Sequence, residues 1–282
     1  AQETWLGIMN TPAKKGEVQA AYIHIPFCKT KCLYCGFFQN AAHQSAEDDY
    51  VEALIEEIEA AADAPRLKGG LIHAVFIGGG TPTSLSAENA ARVLSTLRRV
   101  LPLANDYELT LEGRIHDLVP EKIEAWLANG VNRISLGVQS FDTKVRQSQG
   151  RIETREEVLE RLKLLKSYEQ CSVVLDLIYG LPGQSMEVWQ QDLDDLIASG
   201  IDGADFYQLN VFEGSDLNKR IAEGKLDPAA TTKEQAKMYA FAHDYMKKRG
   251  WRQLSMCHWS RSNRERSLYN ALAKEGVPMF PF

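Results

Sequence analysis

Between residues 21 and 211 the sequence changes its period in a regular way. Short apolar runs stand at A-Y-I-H-I (21–25), L-I-H-A-V-F-I (71–77), Y-E-L-T-L-E (107–112), R-I-S-L-G-V-Q (133–139), S-V-V-L-D-L-I-Y (172–179) and D-F-Y-Q-L-N-V (205–211). Between them, apolar residues recur at helical spacing over 45–64, 86–100, 120–130, 155–168 and 185–199. The punctuation agrees. Pro120 suits the first position of its helix, Thr154 and Glu157 form a capping-box pair, and Gly130 and Gly200 stand as stops. Such alternation implies parallel strands joined by right-handed helical crossovers. Six units are fewer than a closed (β/α)8 barrel needs. The expectation is an α/β fold, a partial (β/α)6 barrel. Pattern alone leaves a doubly wound sheet open as the alternative.

Past residue 212 the alternation stops. A helix near 215–223, a longer one over 231–249 and a strand W-R-Q-L-S-M (251–256) predict the start of a smaller C-terminal α+β module. The division is therefore a lead-in over 1–19, a core over 20–214 and this module over 215–282. The chain has 282 residues, 44% of them hydrophobic, which suffices for one large core and an appendage. No apolar run is long enough to span a membrane. A net charge of −6 argues against a nucleic-acid surface. The first residues show no signal peptide, and five cysteines do not look like a disulfide framework, so a cytoplasmic location is expected. The chain is expected to start short of its natural beginning and to continue beyond Phe282.

Three of the cysteines, Cys28, Cys32 and Cys35, lie in Y-I-H-I-P-F-C-K-T-K-C-L-Y-C-G-F-F (22–38), directly after the first strand. Thiolates are soft ligands, and C-x3-C-x2-C lets three of them face one centre. Structural zinc wants four protein ligands, and no suitable fourth is near. Three local thiolates suggest a [4Fe–4S] cluster with one iron left for an exogenous ligand. A loop of reduced structural cysteines is the alternative.

Function in parallel barrels and sheets collects at the carboxyl ends of the strands. There the sequence puts the cysteines, G-G-G-T-P-T (78–83), Glu112, Gln139, Asp176 and Asn210. The glycines permit close approach of backbone to a small polar ligand; a tight strand–helix turn is the plainer reading. Asp176 in an apolar run needs a ligand hydroxyl or an Arg beside it, and a core salt bridge with Arg133 or Arg151 is the alternative. Tyr22 and Tyr34 flank the cysteines and could shield a cluster or face an adenine; ordinary core packing would also explain them. His73, His116 and His243 read as structural or surface residues, and Cys171 as a buried thiol. In S-M-C-H-W-S-R-S-N-R-E-R (255–266), Cys257 or His258 could ligate a haem iron and the arginines could pair with propionates; a charged loop is the alternative.

Taken together, C-x3-C-x2-C after Y-x-H-I-P-F, with G-G-G-T-P-T, L-G-V-Q-S-F (136–141) and D-L-I-Y-G-L-P-G-Q (176–184), resembles radical S-adenosylmethionine (SAM) enzymes. Within them it is similar to the oxygen-independent coproporphyrinogen oxidase-like group (HemN and HemW). C-G-F-F-Q-N (35–40), L-E-G-R-I-H-D-L (111–118) and C-H-W-S-R-S-N-R-E-R-S-L-Y-N (257–270) resemble the haem-utilisation branch, HutW/ChuW. The resemblance implies a radical SAM barrel and anaerobic haem degradation: methyl transfer, ring opening to a linear tetrapyrrole (an anaerobilin) and iron release. A haem chaperone or a coproporphyrinogen III dehydrogenase are the alternatives within the group. It further implies cluster ligation by Cys28, Cys32 and Cys35. SAM contacts are implied for Tyr22, Tyr34, Gly79, Gly80, Thr81, Glu112, Gln139, Arg151 and Asp176. One or two SAM molecules would bind, haem would meet Cys257, His258 and Arg261, and a flavodoxin, ferredoxin or NAD(P)H-linked reductase would supply electrons.

Overall fold

The computed structural model describes residues 2–36, 40, 41 and 43–282. The Phe37–Gln39 part of the loop motif noted above lies outside them. In chain order the elements are α1 (Gln2–Met9), β1 (Val18–Ile25), β2 (Phe27–Cys28), β3 (Asn40–Ala41), α2 (Gln44–Ala61), α3 (Pro65–Lys68), β4 (Leu71–Gly79), α4 (Ala87–Val100), β5 (Leu103–Gly113), α5 (Pro120–Ala128), β6 (Arg133–Gln139), α6 (Thr143–Ser148), α7 (Arg155–Ser167), β7 (Ser172–Tyr179), α8 (Met186–Ala198), β8 (Gly203–Gln208), α9 (Asp216–Ala222), α10 (Thr232–Lys248), β9 (Arg252–Gln253), β10 (His258–Ser260), α11 (Leu268–Glu275) and β11 (Met279–Pro281).

The main sheet runs β11-β1-β4-β5-β6-β7-β8-β10-β9. Its six central strands are parallel and follow one another in chain order. A doubly wound sheet would reverse that order at a switch point. Here it never reverses, so successive right-handed crossovers keep their helices on one side and the sheet curls as part of a barrel. Outward-facing Ile23, Val75, Leu109, Leu136 and Leu175 share one core with Leu54, Leu97, Trp126, Leu162 and Leu193 of the surrounding helices.

Several boundaries differ from the sequence reading. The lead-in contains α1, and β1 already begins at Val18. Pro65 does not simply end a long helix; it occupies the first turn of α3, where a missing N–H costs nothing. The sixth strand stops at Gln208, and α6 stands where no helix was expected. In place of a strand over 251–256 there is the short β9 and, further on, β10, which runs antiparallel to β8. The C-terminal residues thus pair with both edges of the same sheet, since β11 lies parallel to β1. α11 packs Leu272 against Ala20 and Ala74, and Tyr269 lies 4.9 Å from Phe76, on the inward faces of β1 and β4.

Candidate active site

At the carboxyl end of the strands lies a cavity of about 670 Å³ lined by Cys28, Cys32, Tyr34, Cys35, Gly79, Gly80, Glu112, Gln139, Arg151 and Asp176, together with Arg114, Gly137, Tyr207, Asn210 and Phe212. Successive strands deliver these groups because each parallel strand ends at the same rim.

The cysteine loop is fixed from two sides. Gly80 N–H donates to Ile25 O at 2.7 Å and Thr81 N–H to Phe27 O at 2.7 Å, so the glycine turn lies along the chain entering Cys28. A Cβ at Gly80 would fall 2.5 Å from Phe27 O, which explains why a side chain is excluded there. Thr81 is buried, and its hydroxyl donates to Cys28 Sγ at 3.3 Å. Cys35 N–H donates to Cys32 O at 3.1 Å, closing a turn between the last two thiols.

Charge at Cys32 is set by its neighbours. Burial disfavours its thiolate, but Arg151 and Arg114, with hydrogen bonds from Tyr34 and Arg151, outweigh burial and lower its pKa. Arg151 is itself held by Gly137 O at 2.6 Å and Tyr34 Oη at 3.0 Å. A depressed thiol pKa is what a metal ligand needs. Arg114, which donates to Thr30 Oγ1 at 2.7 Å, was not singled out from sequence, although it lies inside the L-E-G-R-I-H-D-L motif.

Glu112 and Asp176 carry raised pKa values. Burial pushes Glu112 up to about 7, against a hydrogen bond from the Gly79 backbone. Burial and then the like charges of Asp205 and Glu112 push Asp176 up to about 8. The core salt bridge considered for Asp176 is not made: Arg133 pairs with Glu265 and Arg151 faces Tyr34, leaving only Ser135 Oγ at 3.5 Å. Gln139 enters the cavity through a register shift after Gly137 and adopts φ of 72°, a left-handed conformation uncommon for such a residue.

The residues fit the group that the thiols imply. Gln139 Oε1 and Arg151 Nε are buried without a hydrogen-bond partner among the described residues. Groups of that kind call for a polar ligand. No three or more His, Cys, Asp or Glu side chains among the described residues converge as a single ion would require. Cluster thiolates each take a different iron and need not converge in that way.

Other expected residues stand elsewhere. Tyr22 is stacked on Phe76 at 6.2 Å and does not line the cavity. His258, considered for haem iron, is only 2% exposed. Its Nδ1 lies 2.9 Å from Asp205 Oδ2 and its Nε2 3.2 Å from Glu265 Oε1, so neither nitrogen is free for iron. Burial lowers its pKa, but the two carboxylates outweigh this and raise it to about 9. Glu265 is opposed by burial yet held down at about 2 by His258 and Arg133. Cys257 is half-buried, its carbonyl accepting from Phe206 N–H, and Arg261 is exposed beside the start of β8, at the opposite end from the cavity. His116 bridges Asp117 and Glu153, and burial pushes the Cys171 thiol up to about 12, both in line with structural roles.

A family profile described as "Radical SAM superfamily" matches residues 22–196. The chain is 41% identical over 280 residues to the anaerobilin synthase of Escherichia coli O157:H7, covering 99% of this chain and 62% of that protein. It is 33% identical over 232 residues to the heme chaperone HemW of Lactococcus lactis subsp. lactis, covering 82% of this chain and 59% of that one. It therefore spans about three fifths of the length of these curated relatives. Among solved structures it is similar to coproporphyrinogen III oxidase (HemN) from Escherichia coli, with a TM-score of 0.85 and 22% identity over 100% of this chain and 66% of that one. That last likeness concerns the fold.

Proposed function

This chain belongs to the radical SAM superfamily, whose members use a [4Fe–4S] cluster and SAM, and on that premise we propose that it degrades haem without oxygen. The reading is a methyl transfer that opens the porphyrin to a linear tetrapyrrole, an anaerobilin, and releases iron. The observation that carries it is the 41% identity to an anaerobilin synthase over almost the whole chain.

Cys28, Cys32 and Cys35 would hold the cluster. Bound there, cluster and SAM supply reductive cleavage of a carbon–sulfur bond and a transferable methyl group. The protein's own part is positioning and electrostatics. Arg151 and Tyr34 favour the Cys32 thiolate by lowering its pKa. Gly79 and Gly80 let backbone approach the ligand, and Gln139 offers a buried oxygen with no other partner. Glu112 and Asp176 present carboxyls for amino or hydroxyl groups of SAM, one or two copies of which would occupy the rim. Tyr22 and Thr81 act at one remove, through Phe76 and through Cys28 Sγ. His258 and Arg261 are not retained as haem contacts, whereas the half-buried Cys257 thiol is kept as one. A low-potential flavodoxin, ferredoxin or NAD(P)H-linked reductase would supply the electron. Among the described residues no helix is long and apolar enough to cross a membrane.

A haem chaperone is the second reading, favoured by the 33% identity to HemW over 82% of the chain. Anaerobic incubation with haem, SAM and reductant, followed by mass spectrometry, separates the two. A methylated, opened tetrapyrrole is expected; recovery of intact haem overturns the enzymatic reading.

A further inference from the structure

The cavity and the buried network below it meet at one pair of carboxyls. Asp176 on β7 and Asp205 on β8 are register partners on neighbouring parallel strands. Their side chains therefore leave the same face of the sheet side by side. Asp205 is engaged by His258 at 2.9 Å, whereas Asp176 lines the cavity and makes no ion pair among the described residues.

The groups around Asp176 come from every strand packed near it: Asp205 from β8, Glu112 from β5, Arg133 from β6 and His258 from β10, with the Tyr207 phenol beside them. Both cations are already committed. Arg133 lies 3.1 Å from Glu265, and His258 sits between Glu265 and Asp205. Among the described residues, the cations that bear on Asp176 are thus Arg133 and His258, both already paired, while Glu112 is also under Arg114 and Arg151. Neighbouring carboxyls in a poorly solvated site cannot all ionise without a counter-charge.

We propose that Asp176, set beside the Asp205 carboxylate, keeps a proton while the cavity holds no ligand, and gives it up when a nucleoside-bearing ligand donates its hydroxyls to it. A carboxylate accepts through both oxygens, whereas the neutral acid keeps one of them occupied by its proton. Binding therefore favours the ionised form. The proton leaves the carboxyl for bulk water; no carbon bond changes and no electron moves. The raised pKa of Asp176, about 8, agrees with this arrangement. The inference rests on reading the cavity as a SAM site. Because the group is more acidic with ligand bound, affinity must rise with pH across the unliganded titration.

The test is calorimetry of SAM binding to cluster-loaded, unreduced protein under anaerobic conditions, in two buffers of different ionisation heat. Near neutral pH, release of roughly half to one proton per SAM is expected, with affinity tightening several-fold as pH rises toward about 8.5. Asp205→Asn removes one like charge but leaves the burial, and should reduce the release. Asp176→Asn leaves the His258–Asp205 contact in place and should abolish release while iron content stays normal, which covers the case of a misfolded Asp205 variant. Glu112→Gln, which removes a smaller like charge, should keep most of the release, assigning the proton to Asp176. Release unchanged in either aspartate variant, or lost in Glu112→Gln, overturns the inference. SAM binding without proton release sinks the inference alone; absence of SAM binding to the wild-type protein sinks the SAM reading as well.

Discussion

Two regions of the same barrel interior treat charge in opposite ways. Below the rim, Arg133, Glu265, His258 and Asp205 close on one another, with Ser172 Oγ donating to Glu265 at 2.9 Å. At the rim, among the described residues, Asp176 has no counter-ion, and Gln139 Oε1 and Arg151 Nε have no hydrogen-bond partner. A buried polar set that satisfies itself is part of the framework. One that leaves atoms unpaired beside a cavity is arranged for something else to pair with them. The contrast separates residues that hold the fold from residues that face a ligand, and the variants below are ordered to break it.

The largest effect should come from Cys28→Ala, Cys32→Ala or Cys35→Ala. Each is expected to abolish iron incorporation and SAM cleavage; an intact cluster absorbance band with normal turnover would remove the assignment. Next is His258→Ala, which strands Asp205 in the interior while Glu265 keeps Arg133 and Ser172. A stability loss of roughly 3–5 kcal/mol is expected by denaturant melts, because one partner of a buried ion pair is gone. If instead stability holds while haem binding falls in a Soret titration, the two regions have been assigned the wrong way round.

The same histidine gives a pH signature. Its folded pKa, about 9, lies above its ordinary value, so its stabilising contribution is complete below the ordinary histidine range. That contribution should be lost as pH rises through about 9 in wild type, and the slope should flatten in His258→Gln. Equal slopes in the two proteins would count against the buried imidazolium. Asp176→Asn belongs to the other region: SAM should bind more weakly by calorimetry, with the melting transition close to wild type. The smallest effect is Gln139→Gly. Relief of the left-handed backbone should add about 0.5–1 kcal/mol of stability, while SAM affinity drops. A loss on both counts would mean that the Gln139 side chain also supports the fold.

Much of the upper region was legible in the sequence because its chemistry is written in adjacent residues. C-x3-C-x2-C, the glycine run and the strand-end position of Glu112, Gln139 and Asp176 needed only the period of the strands to be brought to one rim. Arg151 is less simple. It lies beyond the end of β6 and returns to Gly137 O and Tyr34 Oη, a contact that no local pattern announces. The lower region was misread for the same reason. His258 and Arg261 look like part of a ligand motif when read along the chain. What decides their roles is pairing between residues far apart in sequence, Arg133 with Glu265 and Asp205 with His258. β10 then sets Arg261 at the opposite end of β8 from the rim. The partial barrel was legible from alternation, but the absence of any reversal in strand order was not. Periodicity carries no information about which neighbour a strand will choose.

That strand order has a consequence for how the molecule is made. Once residues up to Gln208 have left the ribosome, all six central strands exist, yet neither flank of the sheet has its β10 or β11 neighbour. Both flanks present unpaired backbone donors and acceptors until residues 258–260 and 279–281 arrive. Bare flanks invite pairing with another chain. The nascent protein should therefore be most prone to aggregate, and most dependent on a chaperone, during the interval in which residues 209–281 are being translated.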